Sequence, residues 1–384
     1  MKIVADANIP FVRECFSSVG DVQVLSGRDI TPRVVGDADA LLVRSITPVD
    51  GTLLAGSSVR FVGTATIGFD HVDLQYLERN RIGFASAPGS NANSAAEYVI
   101  AALLEIGGRY HIQLEGRSIG IIGVGHVGSR VVRRCESLGM CVLQNDPPLQ
   151  RQTGDPKYVP LDALYGCDFI SIHTPLTCEG VDRTFHLADA RFFSSLKEGA
   201  VFVNAARGAI VETEALKVSI GTRRLRVTVL DVWEGEPCID TSLLDMVDLG
   251  TPHIAGYSLD GKIAGMIMIY KSLCGYFHLE PKYDARDFLP APDVPRMEMP
   301  VDGATDEELL VRAVRQVYDI RRDDQDLRRI ADQPRESQGR FFDALRKDYP
   351  NRREFHNTTV VLDRTREPLA RKLRGLGFRV EERQ

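Results

Sequence analysis

Short apolar runs alternate with polar, helically spaced stretches along most of the chain. Before residue 93 the runs are Lys2–Ala5, Val22–Leu25, Ala40–Val43, Val59–Val62 and Ile82–Ala85. Continuous apolar runs of this length mark strands buried on both faces. Segments such as His71–Asn80 lie between them and carry helical spacing. The pattern predicts a parallel β/α sheet. Asn93–Arg109 interrupts it with a long, Ala- and Leu-rich stretch that is apolar nearly all round. Such a stretch predicts a buried helix, suited to joining two domains. From Arg117 the alternation restarts, with runs at Ser118–Ile122, Cys141–Gln144, Phe169–Ile172, Val201–Val203 and Val227–Leu230, and continues to about His253.

Pro281–Pro300 carries five prolines and reads as a linker or extended arm. Beyond it, residues 301–384 hold 19 Lys+Arg against 17 Asp+Glu, a balance that reads as a solvated surface. Thr305 and Glu308 form a capping-box pattern ahead of Leu309, Ala313, Val317 and Ile320, which predicts one helix. Thr358–Leu362, Glu367–Arg374 and Phe378–Glu381 then read as strand, helix, strand. A small third α/β domain is expected here.

Composition narrows the function. A chain of 384 residues predicts two or three domains. With 43% hydrophobic and 26% charged residues it is globular, and its net charge of −6 argues against coating a nucleic acid. No apolar run is long enough to span a bilayer, since Glu105 interrupts the best one, Tyr98–Ile106. Met1–Asp6 meets an acid too early for a signal peptide. The seven cysteines are scattered without a C-x-x-C, so free thiols in a reducing cytoplasm are expected, and no metal site.

Ser118–Ile122 runs into Gly123-Val-Gly125-His126-Val127-Gly128, the pattern G-x-G-x-x-G. A helical pattern follows through Val131, Val132 and Leu138, then a strand ending in Asn145-Asp146. Each part has a mechanical reason. Gly123 permits a tight turn, Gly125 lets backbone approach a pyrophosphate, and Gly128 lets helix and strand pack. The amides of His126 and Val127 face the phosphate at a helix start. We expect His126 to contribute its amide rather than a catalytic ring. Asp146 accepts from the adenosine ribose and would repel the 2′-phosphate of NADP. The expected cofactor is NAD, on a Rossmann-type domain.

Three later segments place a polar residue just past an apolar strand. They are Val201-Phe-Val-Asn-Ala-Ala-Arg207-Gly208, Val227-Thr-Val-Leu-Asp231-Val-Trp-Glu-Gly-Glu236-Pro237 and Thr251-Pro-His253-Ile-Ala-Gly256-Tyr257. Ligands of doubly wound sheets bind outside the carboxyl ends of the strands, so all three can line one cleft. Taken singly, Arg207 reads as a surface charge, Glu236 as a loop acid and His253 as a structural histidine. Beside a dinucleotide site they are the parts that hydroxy-acid oxidation needs.

These motifs, in this order, resemble the D-isomer-specific 2-hydroxyacid dehydrogenases over roughly residues 1–285. The resemblance narrows to a branch acting on a phosphorylated four-carbon 2-hydroxy acid. It does so through Val43-Arg44-Ser45-Ile46-Thr47, Ala65-Thr66-Ile67-Gly68-Phe69-Asp70-His71-Val72-Asp73, Pro88-Gly89-Ser90-Asn91-Ala92-Asn93-Ser94, Asp146-Pro147-Pro148 and Ala255-Gly256-Tyr257-Ser258-Leu259-Asp260-Gly261-Lys262. It implies Arg207, Glu236 and His253 as the catalytic residues, with Glu236 hydrogen-bonding and orienting the His253 ring. It implies that Thr174, Ala205, Ala206, Asp231 and Gly256 touch NAD, and that Ser45, Thr66 and Tyr257 touch substrate. Arg44 is the expected phosphate ligand, ahead of Lys262 and of Arg346 from a partner subunit.

The implied architecture is α/β. A Rossmann-type cofactor domain (94–254) is inserted in a flavodoxin-like substrate domain (1–93 and 255–285), and a C-terminal α/β domain (286–384) mediates homodimerisation. Two other readings stay open at this point: a dehydrogenase of another 2-hydroxy acid such as 3-phosphoglycerate, and a non-catalytic NAD-sensing protein on the same fold.

Overall fold

The computed structural model of the chain describes residues 1–299 and 303–383. The chain divides into two compact units, Met1–Ala92 with Tyr257–Ala291, and Asn93–Gly256 with Pro292–Gln384.

The first unit is built on β1 (Lys2–Asp6), β2 (Asp21–Leu25), β3 (Ala40–Val43), β4 (Phe61–Thr64) and β5 (Gly83–Ala85). All pairings are parallel, in the order β2-β1-β3-β4-β5. That is the flavodoxin-like order, and it reverses between β1 and β3. Alternate side chains serve opposite faces. Ile3, Ala5, Leu42 and Phe61 pack on the helix Leu259–Tyr276 through Ile263, Met266, Ile269 and Tyr270. Val4, Leu41, Val43 and Val62 pack on Val35, Leu53 and Leu77. Two covered faces explain the unbroken apolar runs, and each such side chain contributes roughly 1.5–3 kcal/mol by burial. The fourth strand lies two residues later than the run Val59–Val62 suggests, because Gly63 and Thr64 read as a strand end yet continue the ladder to β3.

In the second unit the helix Ala92–Tyr110 is buried from Ser94 to Gly107, as its all-round apolar character requires. Six strands follow: β6 (Ser118–Ile122), β7 (Cys141–Asn145), β8 (Phe169–Ile172), β9 (Ala200–Asn204), β10 (Leu225–Leu230) and β11 (Leu249–Gly250). They form one parallel sheet in the order β11-β10-β9-β8-β6-β7. A bridge between Gln144 and Tyr158 extends it past β7. The order therefore reverses at β6 and β8, as in a dinucleotide-binding sheet. Two-residue β11 is too short to leave a hydrophobic signature.

The same unit includes a three-stranded parallel sheet of β12 (Arg296–Glu298), β13 (Thr359–Asp363) and β14 (Arg379–Arg383), with β13 central. The proline-rich stretch is thus more than an arm, since Arg296–Glu298, in the proline-free gap between Pro295 and Pro300, pairs as an edge strand. The capping box at Thr305 and Glu308 is present, but its helix stops at Val317 and Ile320 opens a second one, Ile320–Arg328. Tyr318 leaves the helix with φ −144° and is buried. The tail's charge is also not all solvated: Asp323, Asp324, Arg352, Arg353 and Glu354 are buried. Among the described residues no helix is long and apolar enough to cross a membrane.

Candidate active site

The carboxyl ends of β10 and β11 carry a histidine–carboxylate pair. His253 Nδ1 lies 2.7 Å from Glu236 Oε2, and Glu236 Oε1 accepts from the Trp233 amide at 2.8 Å. The carboxylate is therefore fixed from both sides. Burial pushes its pKa up, but the His253 ring and the two hydrogen bonds outweigh this and hold the group below the ordinary glutamate range. With Nδ1 engaged, Nε2 is the ring nitrogen left for proton transfer, and the side chain is 30% exposed. A substrate hydroxyl can reach it.

The backbone at His253 is left-handed, φ 57°. Asp231, at the end of β10, holds the turn in that conformation. Its carbonyl accepts from His253 N at 2.7 Å. Its Oδ1 accepts from Thr251 Oγ1 (2.7 Å) and Ile254 N (2.8 Å), and its Oδ2 from Ala255 N (2.9 Å). Burial raises the Asp231 pKa, with the His253 charge and these donors opposing.

Arg207 follows β9. Asn204 shapes that loop by accepting from Ala206 N and donating to the Arg207 carbonyl. A Cβ at Gly208 would stand 2.0 Å from the carbonyl carbon and oxygen of Trp233, so glycine is what lets the Arg207 loop lie against the Glu236 loop. Arg207 Nη1 donates to the Ala206 carbonyl at 2.8 Å. Nε and Nη2 remain as a paired edge for a carboxylate. No hydrogen bond joins Arg207 to the histidine–glutamate pair among the described residues.

The dinucleotide features meet where the sheet order reverses. A Cβ on Gly123 (φ 86°) would stand 2.9 Å from the Thr174 amide, and one on Gly128 would stand 2.0 Å from the Gly123 carbonyl. The amides of His126 and Val127 donate to no acceptor among the described residues. Gly125 has open space on its Cβ side. Thr174 Oγ1 and His173 Nδ1 are buried at the end of β8 without a partner. Orphaned polar atoms beside unpaired amides fit a phosphate-bearing ligand. Burial lowers the His173 pKa to about 3, so that ring is neutral. Asp146 does more than await a ribose. Its Oδ2 accepts from Val124 N (2.8 Å), and its Oδ1 caps the helix Pro147–Thr153 at Leu149 N (3.0 Å). Ala205, Ala206 and Gly256 lie in the loops just past β9 and β11.

The chain's stretch 102–255 matches the D-isomer specific 2-hydroxyacid dehydrogenase, NAD binding domain, and 288–377 matches a domain of unknown function (DUF3410). Over 380 residues it is 44% identical to an erythronate-4-phosphate dehydrogenase of Azotobacter vinelandii, covering 98% of this chain and 99% of that one. The chain belongs to the D-isomer specific 2-hydroxyacid dehydrogenase family. The erythronate-4-phosphate dehydrogenase of Cronobacter sakazakii is also 44% identical, over 98% of each chain. Two solved structures are similar as well, each at 25% identity. NAD-dependent formate dehydrogenase from Staphylococcus aureus in complex with NAD matches at TM-score 0.60 (74% of this chain, 98% of that one). NAD+-bound 3-phosphoglycerate dehydrogenase of Entamoeba histolytica matches at 0.61 (75% and 99%). NAD is the family's cofactor, and the stretch just described is its binding domain.

The first unit carries the residues expected to touch substrate. Arg44 and Ser45 follow β3 directly, beside the reversal point of that sheet, and Arg44 Nη1 donates to Asn8 O at 3.2 Å. The Arg44 guanidinium lies 5.7 Å from the centre of the Tyr257 ring, and the Lys262 ammonium 4.7 Å from it. Thr66 spends its hydroxyl hydrogen on the Gly68 carbonyl (2.8 Å), so toward a ligand it is an acceptor. Sequence reasoning missed Asp6, whose Oδ2 is buried without a partner at the end of β1. It also missed the holding roles of Thr251 and Asn204. The signal for Asp6 was available, since an acid ended an apolar strand.

Proposed function

We propose that the chain oxidises C2 of 4-phospho-D-erythronate, giving 3-hydroxy-2-oxo-4-phosphooxybutanoate on the route to pyridoxal phosphate. The observation that carries this reading is the His253–Glu236 pair at the carboxyl edge of an NAD-binding sheet, in a chain similar over its full length to erythronate-4-phosphate dehydrogenases. When bound, the nicotinamide accepts the hydride that leaves C2. His253 Nε2 takes the C2 hydroxyl proton as that hydride departs. Glu236 keeps the ring hydrogen on Nδ1 and balances the imidazolium that forms. Arg207 grips the substrate carboxylate through Nε and Nη2 and so fixes C2 beside the base. The amides of His126 and Val127 and the Thr174 hydroxyl hold the cofactor's phosphates. Asp146 takes its ribose hydroxyls, and Ala205, Ala206, Asp231 and Gly256 line the nicotinamide end.

Arg44, Ser45, Thr66 and Tyr257 contact the substrate in this reading, with Arg44 and Lys262 answering its phosphate. A desolvated phosphate dianion needs a cationic partner, and the Tyr257 ring gathers two. The test is NAD reduction across a panel of 2-hydroxy acids with and without a terminal phosphate. The phosphorylated four-carbon acid should be preferred, and Arg44→Ala should raise KM for it far more than for its unphosphorylated analogue. Indifference of the wild type to the phosphate removes this substrate. We further propose that the chain is a cytoplasmic homodimer joined through residues 286–384. Sedimentation of a chain ending at residue 285 should then show monomers, and a persistent dimer moves the contact elsewhere.

A further inference from the structure

The turn that carries His253 is held at both ends by residues of the C-terminal tail. Asp324, on the helix Ile320–Arg328, accepts from Gly250 N at 2.8 Å, one residue before the turn. Its own charge is answered by Arg328 Nε at 3.0 Å, and Arg328 also donates to the carbonyls of Leu244 (3.1 Å) and Val247 (2.9 Å) ahead of β11. At the other end Arg352 Nη2 donates to the Ala255 carbonyl at 2.7 Å and to the Ser94 carbonyl at 3.2 Å. The Arg352 guanidinium is buried and lies 4.2 Å from the centre of the Tyr318 ring. Tyr318 and Tyr349 both donate to Asp323, at 2.8 and 3.0 Å, and burial raises that carboxyl to about 6.

Ala255, two residues past His253, is thus held on both sides, its N–H by Asp231 and its C=O by Arg352. Between the two tail contacts the turn's other bonds run to Leu230, Asp231, Trp233 and Glu236 in or after β10, and to the Tyr98 hydroxyl on the helix Ala92–Tyr110. We propose that Arg352 and Asp324 are positioning residues for His253. By fixing the two ends of the catalytic turn, they make the tail part of the apparatus that aims the imidazole. This rests on the reading of His253 as the base.

The test compares full-length Arg352→Met, Arg352→Lys and Asp324→Leu with Leu373→Ala, a cavity in the same tail far in sequence from the turn. Steady-state kinetics on 4-phospho-D-erythronate, NAD affinity and amide exchange across residues 250–256 are read for each. Arg352→Met should lower kcat by about 10–100-fold with NAD affinity within about twofold, since a small misplacement of a reacting group has effects of this order. Exchange at Ile254 and Ala255 should quicken. Arg352→Lys, which keeps a donor for Ala255, should recover most of the loss, and Leu373→Ala should lose thermal stability but keep its kcat. The proposal is overturned if Arg352→Met keeps kcat and exchange unchanged, or if Leu373→Ala loses kcat equally. Should Arg352→Met fail to fold, Asp324→Leu decides by the same two readouts. A wild type that oxidises no 2-hydroxy acid removes the functional reading instead, and unchanged exchange still removes the clamp.

Discussion

Replacing Glu236 with glutamine isolates what the carboxylate does, because the shape is kept and one acceptor is lost. The two oxygens of Glu236 serve different donors, the Trp233 amide at 2.8 Å and His253 Nδ1 at 2.7 Å. Glutamine has one carbonyl oxygen and one amide nitrogen. If the oxygen stays on Trp233, the amide nitrogen faces Nδ1, the ring hydrogen must move to Nε2, and the base has disappeared. If the oxygen turns to His253, the Trp233 amide faces another donor and goes unsatisfied, at a cost of about 1–3 kcal/mol. That cost suppresses the productive arrangement by roughly 10–100-fold. The imidazolium also loses its counter-charge as the proton arrives. Together these set an expected fall in kcat of about 10²–10³-fold. NAD affinity should not move, since neither oxygen faces the glycine loop. The assay is NADH formation at saturating NAD and 4-phospho-D-erythronate, with NAD affinity measured separately. A Glu236→Gln enzyme within about threefold of wild-type kcat would refute the orienting role, and an equal loss of NAD binding would show that the substitution acts by general disruption.

Three further outcomes follow from the same geometry. Arg207→Lys should lose kcat/KM by about 10²-fold or more, because an ammonium lacks the paired edge of Nε and Nη2; near wild-type turnover would remove the bidentate grip. Asp146→Asn keeps the Leu149 cap, worth about 1 kcal/mol, but turns its amide nitrogen toward the Val124 N–H, so NAD affinity is measured beside cofactor choice. Preference for NAD over NADP should narrow, and an unchanged ratio would place ribose recognition elsewhere. Gly208→Ala should be damaging out of proportion to one methyl group, since its Cβ would meet the Trp233 carbonyl at 2.0 Å and push the Arg207 and Glu236 loops apart. A soluble Gly208→Ala enzyme with normal KM would show that the two loops need not touch.

The two large sheets were legible because their inner strands β1, β3, β4, β6, β8, β9 and β10 are largely buried on both faces and write apolar runs, while β2, β5 and β7 keep enough apolar residues to be read although partly exposed. The motif residues were legible because each stands at the carboxyl end of such a run, where parallel strands open onto a ligand. The pairing of His253 with Glu236 came through the family resemblance alone. Seventeen residues and a chain reversal separate them, and nothing in composition sets the 2.7 Å contact. Asp231 was expected to touch NAD, and the sequence held no sign that its carboxylate gathers Thr251, Ile254 and Ala255. The tail was the least legible part. Asp324 and Arg352 are charged types that solvent usually claims, so their burial could be inferred only from partners far away in the chain.

The left-handed backbone of His253 shows why such partners matter. Glycine reaches this conformation freely, while a side chain there costs free energy that the surroundings must offset. A glycine at 253 would relax the turn and remove the base, so the strain comes with the function. Here the offset is tertiary. Asp231 supplies acceptors from β10, Trp233 Nε1 donates to the Thr251 carbonyl, and the tail contributes Asp324 and Arg352. Replacing buried ion pairs with apolar residues is often neutral for stability, whereas removing one partner alone is costly. Stability therefore gives weak reason for burying Arg352 under a tyrosine and against a carbonyl. The geometry of the turn gives a stronger one, because a planar donor of fixed direction determines where the Ala255 carbonyl sits, and through two residues of chain where the imidazole points.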